Sequence, residues 1–143
     1  MKIYFACSIT GGREDEGVYQ RLVKALTEAG HDVPTAHIAE SGVEERDQWE
    51  DPLDIYRRDV TWIEESDLLV AEVSTPSHGV GYEIGYALSL RKPVLCLYHA
   101  DKDISKMISG NPHPLLSVHE YQTHQEALEV LSRFLSEIST GDG

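Results

Sequence analysis

Residues 58–85, RDVTWIEESDLLVAEVSTPSHGVGYEIG, pass from a helix through an apolar run into a Gly/Ser-rich turn and on into a second helix. The run DLLVAEV (67–73) reads as a buried strand between those helices. The same alternation continues outward on both sides. Upstream, residues 3–9 form a short apolar run broken by Gly11-Gly12. A helix over 15–29 follows, with Val18, Leu22, Val23 and Leu26 on one face and Gly30 as its stop. Residues 31–36 form a weaker strand and 40–50 a polar loop. Asp51-Pro52 then opens a helix over 52–66, an N-cap with proline at the first helical position.

Downstream, a helix over 80–91 leads to the strand PVLCLY (93–98). A loop over 101–114 holds one helical turn near 104–107, and a short strand covers 118–121. An amphipathic helix over 125–138 closes the chain. Its residues Ala127, Val130, Leu131, Phe134 and Leu135 serve as core cover or dimer surface. Buried strands alternating with helices predict a parallel sheet covered on both faces. With right-handed crossovers the simplest arrangement is an α/β, doubly wound, five-stranded parallel sheet of order 2-1-3-4-5. One domain spans residues 1–143.

The 143 residues carry 25 acids against 12 bases, a net charge of −13. Such a surface repels polyphosphate, so nucleic acid is excluded as a partner, while a small phosphorylated ligand fits if backbone N–H groups hold it. No run approaches the roughly 18 apolar residues of a membrane span. The opening MKIYFACSI is too short for a secretory signal, so a cytoplasmic protein is expected. Cys7 and Cys96 lie in apolar runs and read as reduced, packed thiols. Seven histidines show no HxH or HExxH spacing, so no metal site is expected. Trp49 and Trp62 read as packing or pocket wall.

In a doubly wound sheet the ligand lies past the carboxyl ends of the strands, where the strand order reverses. Two loops meet there: Ser8, Ile9, Thr10, Gly11, Gly12 and Arg13 after the first strand, and residues 74–79, including Ser77, His78 and Gly79, after the third. Each opens a helix, and free N–H groups at a helix start suit a phosphate. Glycine-rich turns also occur merely to turn the chain, and neither loop carries a GxxxxGK[ST] or GxGxxG fingerprint.

Two carboxylates stand out. On a helical wheel for residues 53–65, Leu53, Ile55, Tyr56, Val60, Trp62 and Ile63 form one apolar arc, and Asp59 falls near its middle. A carboxylate on a core face finds a partner or takes up a proton, and burial suits it to act as a general acid. A structural Asp bonded to a loop or an arginine would sit there equally. Glu83 lies in the first turn of the helix expected from residue 80, where the dipole favours an ionised carboxylate beside the loop 74–79. Simple dipole complementation by a surface Glu is the competing explanation. An acid for the leaving group and an anion for the sugar is the pairing of glycosidic cleavage.

These segments are familiar. YFACSITGGRED (4–15), TAHIA (35–39), residues 58–85 and ISKMI (104–108) resemble the 2'-deoxynucleoside 5'-phosphate N-hydrolases, relatives of the nucleoside 2-deoxyribosyltransferases. The resemblance implies a flavodoxin-like (Rossmann-like) fold and a homodimer with active sites shared between subunits. It implies a nucleotide substrate cleaved to free base and 2-deoxyribose 5-phosphate, without metal or organic cofactor. It implies Glu83 as the nucleophile that forms a covalent deoxyribosyl intermediate, Asp59 as the residue assisting base departure, and Tyr4 as the residue orienting the glutamate. Phosphate contacts are implied for Ser77 and Gly79, and for Ser105 reaching across from the partner subunit, with Lys106 and Met107 beside it. Tyr19 and His37 are implied as pocket wall. Cys7 and Thr10 depart from the Gly and Arg frequent in the family, which weakens one phosphate contact. Tyr4 resembles the deoxy-specific branch. A base-exchanging transferase and a non-catalytic nucleotide sensor are the rival readings.

Overall fold

The computed structural model describes residues 1–9 and 15–141, the side chains of Glu44 and Asp47 aside. Strand β1 (Ile3–Ala6) leads to helix α1 (Glu16–Glu28), a 3-10 turn (Ala36–Ala39) and the short helices' first member α2 (Val43–Asp47). Helix α3 (Pro52–Glu65), strand β2 (Leu68–Glu72), helix α4 (His78–Ser89) and strand β3 (Val94–His99) follow. Helix α5 (Lys106–Ser109), strand β4 (Leu116–Tyr121) and helix α6 (His124–Thr140) complete the chain. The residues expected to be a loop over 40–50 thus include one short helix.

The sheet is four-stranded and parallel, in the order β1-β2-β3-β4. The expected fifth strand, over residues 31–36, does not form. Its remnant is a single parallel bridge between Asp32 and Lys2 on the outer edge of β1. The reason is local. Pro34 has no N–H to give a ladder. In place of a backbone partner, the Thr35 hydroxyl accepts from Phe5 N (2.9 Å) and donates to Phe5 O (2.8 Å). One side chain satisfies both backbone groups of β1, and the chain is released into the 3-10 turn.

Alternation along the strands sorts the core into two layers. Ile3 and Phe5 of β1, Leu68 and Val70 of β2, and Leu95 and Leu97 of β3 pack with α1 and α6 on one side. Tyr4 and Ala6, Leu69 and Ala71, and Val94 and Cys96 pack with α3 and α4 on the other. A one-residue slip in β1 would move Tyr4 to the wrong side. The parallel register Tyr4↔Leu69 within a fully buried pair of strands prevents that slip.

Helices α3, α4 and α6 start where side chains cap them. Asp51 accepts from Leu53 N at 2.8 Å ahead of α3, Ser77 from Val80 N at 3.3 Å ahead of α4, and Thr123 from Glu126 N at 3.1 Å ahead of α6. Gly30, at φ +91°, ends α1 in the left-handed region that favours glycine. Ala127, Leu131 and Phe134 of α6 are buried, as expected for core cover. Trp49 is 84% exposed, against the expectation of packing. Among the described residues no helix is long and apolar enough to cross a membrane.

Candidate active site

Beyond the carboxyl ends of β1 and β2, α3 and α4 flank a cleft of about 610 Å³. Asp59 and Glu83 both line it, with Gly79, Tyr56 and Tyr82. That volume suits a small organic ligand. Tyr4 rises from β1 beneath it, and its hydroxyl donates to Glu83 Oε2. Burial, then the negative charges of Glu83 and Asp59, push the Tyr4 phenol far up, so it stays a donor.

Glu83 behaves differently from expectation. Helix α4 begins at His78, two residues before the expected start, which places Glu83 in the second turn. The helix-end effect fades within the first turn. Burial therefore dominates and lifts the Glu83 carboxyl to about 7, with the Tyr4 hydrogen bond pulling it down and the charge of Asp59 pushing it up. This has a consequence for stability. Glu83 ionises near 4.5 when unfolded and near 7 when folded. Between those values the unfolded chain releases a proton that the native state retains, so stability falls as pH rises from 4.5 to 7 and stays lowered above. Glu83→Gln removes that cost. We expect the variant to melt higher than wild type at pH 8, by at most about 3 kcal/mol in stability, with the difference vanishing near pH 4. A lower melting point at pH 8 would contradict the burial argument.

The wheel expectation for α3 is half right. Asp59 does stand on the apolar arc, but only the arc's Trp62 and Ile63 pack on the core. Only Ile63 is fully buried, Leu53 is 50% exposed, and Ile55, Tyr56 (53% exposed), Val60 and Ile63 line the cleft. Asp59 also has a charged partner: Arg58 Nε donates to its Oδ1 at 3.0 Å. Arg58 is braced in turn by Glu50 at 3.0 Å and lies 5.0 Å from the centre of the Trp62 ring. The His37 ring meets Trp62 edge-on at 5.9 Å, and burial followed by the Arg58 charge pushes His37 down. Sequence reasoning named Asp59 and His37 but missed Arg58, Tyr56 and Tyr82. An arginine adjacent in sequence to the aspartate was the available signal.

The other expected site residues distribute unevenly. Cys7 and Ser8 are buried at the end of β1, with Cys7 Sγ 3.8 Å from Ile38 O, and Ile9 packs against the core. Thr10, Gly11, Gly12 and Arg13 lie outside the described residues. Tyr19 of α1 is buried in the core, edge-on to Phe5 at 6.4 Å. Ser77 and Gly79 stand at the start of α4. Ser105 and Met107 do not enter the Glu83 cleft. They line a separate groove of about 520 Å³ along another face of α4, which Ser77 also borders. Lys106, between them, is exposed. Among the described residues no group of three or more His, Cys, Asp or Glu is placed to hold a metal ion.

A parallel α/β sheet with two carboxylates in one cleft at its carboxyl edge, one held by a tyrosine and one by an arginine, is the arrangement of an enzyme acting on a small ligand. The family model for nucleoside 2-deoxyribosyltransferases matches residues 3–130, and the chain belongs to that family. It is 38% identical over 143 residues to a Danio rerio 5-hydroxymethyl-dUMP N-hydrolase, covering 97% of this chain and 99% of that one. It is 44% identical over 112 residues to the Mus musculus protein of the same name, covering 76% and 64% respectively. A Methanosarcina barkeri relative, assigned provisionally as a 2'-deoxynucleoside 5'-phosphate N-hydrolase, is 40% identical over 134 residues, covering 94% and 84%. Among solved structures, a Clostridium botulinum CMP N-glycosidase superimposes with a TM-score of 0.69 at 22% identity, over 92% of this chain and 99% of that one. A Bacillus psychrosaccharolyticus 2-deoxyribosyltransferase does so at 0.62 and 18% identity, over 90% of each. Those two likenesses speak to the fold alone.

Proposed function

We propose that the protein hydrolyses the N-glycosidic bond of 2'-deoxynucleoside 5'-monophosphates, giving free base and 2-deoxyribose 5-phosphate. One observation carries the reading: Glu83, gripped by Tyr4, and Asp59, gripped by Arg58, line the same cleft. The N-hydrolase names of relatives 38–44% identical support it. The ionised Glu83 attacks the anomeric carbon as the C–N bond breaks, and the bonding electrons leave with the base. Asp59 supplies a hydrogen bond or proton to that base. Water then attacks the same carbon, passing a proton to the Asp59 carboxylate or the departed base, and as the ester C–O bond breaks it releases the Glu83 carboxylate and leaves the sugar with retained configuration. Ser77, Gly79 and the first-turn amides of α4 hold the 5'-phosphate with the loop 8–13. The net charge of −13 supports a small nucleotide over nucleic acid.

The active unit is a homodimer of this single domain, in the cytoplasm with its nucleotide substrates. Leu53, Tyr56 and Tyr82 put an apolar surface at the mouth of the cleft, and Met107 is 84% exposed beside Ser105. A second copy that covers this surface brings its own Ser105 towards the phosphate, with Lys106 and Met107 alongside.

A panel of deoxy- and ribonucleoside monophosphates and free nucleosides, scored for free base by chromatography, tests the reading. Deoxynucleoside monophosphates are expected to react best. Because Glu83 must be ionised and its carboxyl lies at about 7, kcat/KM is expected to fall as pH drops below about 7. No base from any monophosphate would reject the proposal. The family description favours one second reading, transfer of deoxyribose between bases. A free nucleoside incubated with a second base would then yield the exchanged nucleoside.

A further inference from the structure

Glu72 ends β2 and is wholly buried, yet it lies outside the cleft. Strand alternation places its side chain with those of Leu68 and Val70 on the α1/α6 side, opposite Glu83. Its oxygens meet donors alone. Ser74 N donates to Oε1 at 2.8 Å, while the Ser74 hydroxyl and the Tyr121 hydroxyl donate to Oε2 at 2.8 and 2.5 Å. The Ser74 oxygen in turn accepts from His99 N at 2.8 Å. Glu72 closes β2, His99 closes β3 and Tyr121 closes β4. One carboxylate therefore knits the carboxyl ends of three strands at the point where the loop 74–79 departs. The next residue, Thr75, donates its hydroxyl to Asp15 Oδ2 at 2.9 Å, which ties the same loop to the start of α1.

The directions of these bonds restrict what can stand at position 72. Ser74 has one hydroxyl proton, and with its oxygen already accepting from His99 it gives that proton to Glu72. A carboxylate meets this set by accepting from all three donors. Burial raises the Glu72 carboxyl and the three hydrogen bonds lower it in part.

We propose that Glu72 is a positioning residue for phosphate recognition: it fixes the backbone of residues 74–77 so that Ser77 and the first amides of α4 meet the 5'-phosphate, without touching the substrate itself. The proposal rests on the reading that this loop receives the phosphate. Preorganisation of a binding loop acts on affinity for the group the loop holds, and leaves Glu83, Asp59 and Tyr4 in place.

The test uses full-length protein carrying Tyr121→Phe, which removes one donor and keeps the ring, the acid and Ser74. Glu72→Gln is the second variant, since it trades one acceptor oxygen for an NH2 donor and so disturbs the bonds from Ser74 and Tyr121. Both are expected to raise KM for a deoxynucleoside monophosphate, and Ki for inorganic phosphate, by roughly five- to tenfold, with kcat within about twofold of wild type. A merely structural role would lower the melting temperature and leave KM and Ki unchanged, which would overturn the proposal. If Glu72→Gln does not fold, Tyr121→Phe decides alone. Failure of the underlying reading looks different. Wild type would then bind the nucleoside as well as its monophosphate, and inorganic phosphate would not compete, which overturns both.

Discussion

Glu83→Gln is expected to bind nucleotide and to release almost no base. The amide keeps the shape of the side chain and leaves a carbonyl to accept from the Tyr4 hydroxyl, so the cleft is preserved. What is lost is the proposed nucleophile. A neutral amide oxygen does not stabilise an oxocarbenium-like centre or form the sugar ester, and removal of a covalent nucleophile costs at least ~10³-fold in kcat. The dissociation constant for the monophosphate, measured by calorimetry, should stay within roughly threefold, because the proposed phosphate and base contacts lie elsewhere. Wild-type enzyme quenched during turnover should yield, by intact mass, a fraction of chain heavier by one deoxyribosyl phosphate, and the variant none. Near wild-type turnover in the variant would place the nucleophile at another residue. The same substitution that removes activity is expected to raise stability above pH 7, the trade expected where burial makes a carboxylate reactive.

Much of this arrangement was legible in the chain. The unbroken apolar runs around Val70 and Leu95 identified buried parallel strands, and Asp51-Pro52 marked a helix start that the structure caps in that position. What escaped was set by tertiary contacts. The strand expected over 31–36 was lost to a side-chain hydroxyl: Thr35 occupies the hydrogen-bonding groups of Phe5 that a neighbouring strand would need. Periodicity cannot reveal such a competitor. The α3 wheel located Asp59 on an apolar arc but could not say whether that arc faced core or cleft, since both demand apolar residues. Glu83 was expected to be held as an anion by its helix, yet the helix starts earlier and burial wins. Glu72 was passed over inside DLLVAEV, although a lone acid in a buried strand must be bonded on all sides.

Asp59→Asn is expected to produce the second largest loss, and its dependence on the leaving base identifies the role. Asparagine retains an oxygen to accept from Arg58 Nε, and Arg58 keeps its contact with Glu50. The pair is partly exposed, so the cost in stability should be near 1 kcal/mol, visible as a small drop in melting temperature. The chemical cost should be larger. A base departing from a sugar carries the bonding electrons, and a positioned carboxyl that gives it a proton or a strong hydrogen bond is worth about 10²–10⁴-fold. That assistance matters most when the base is a poor leaving group. Across monophosphates with bases of graded acidity, log kcat should therefore depend more steeply on leaving-group pKa in the variant than in wild type. The defect should be smallest for bases that leave readily as anions. If the loss were the same for every base, Asp59 would be acting on the sugar or on the shape of the cleft, and its assignment to base departure would fail. If the two lines ran parallel but the Glu83 variant were still inactive, the nucleophile would stand and the source of leaving-group assistance would have to be sought in Tyr56 on the cleft wall or in Arg58 behind Asp59.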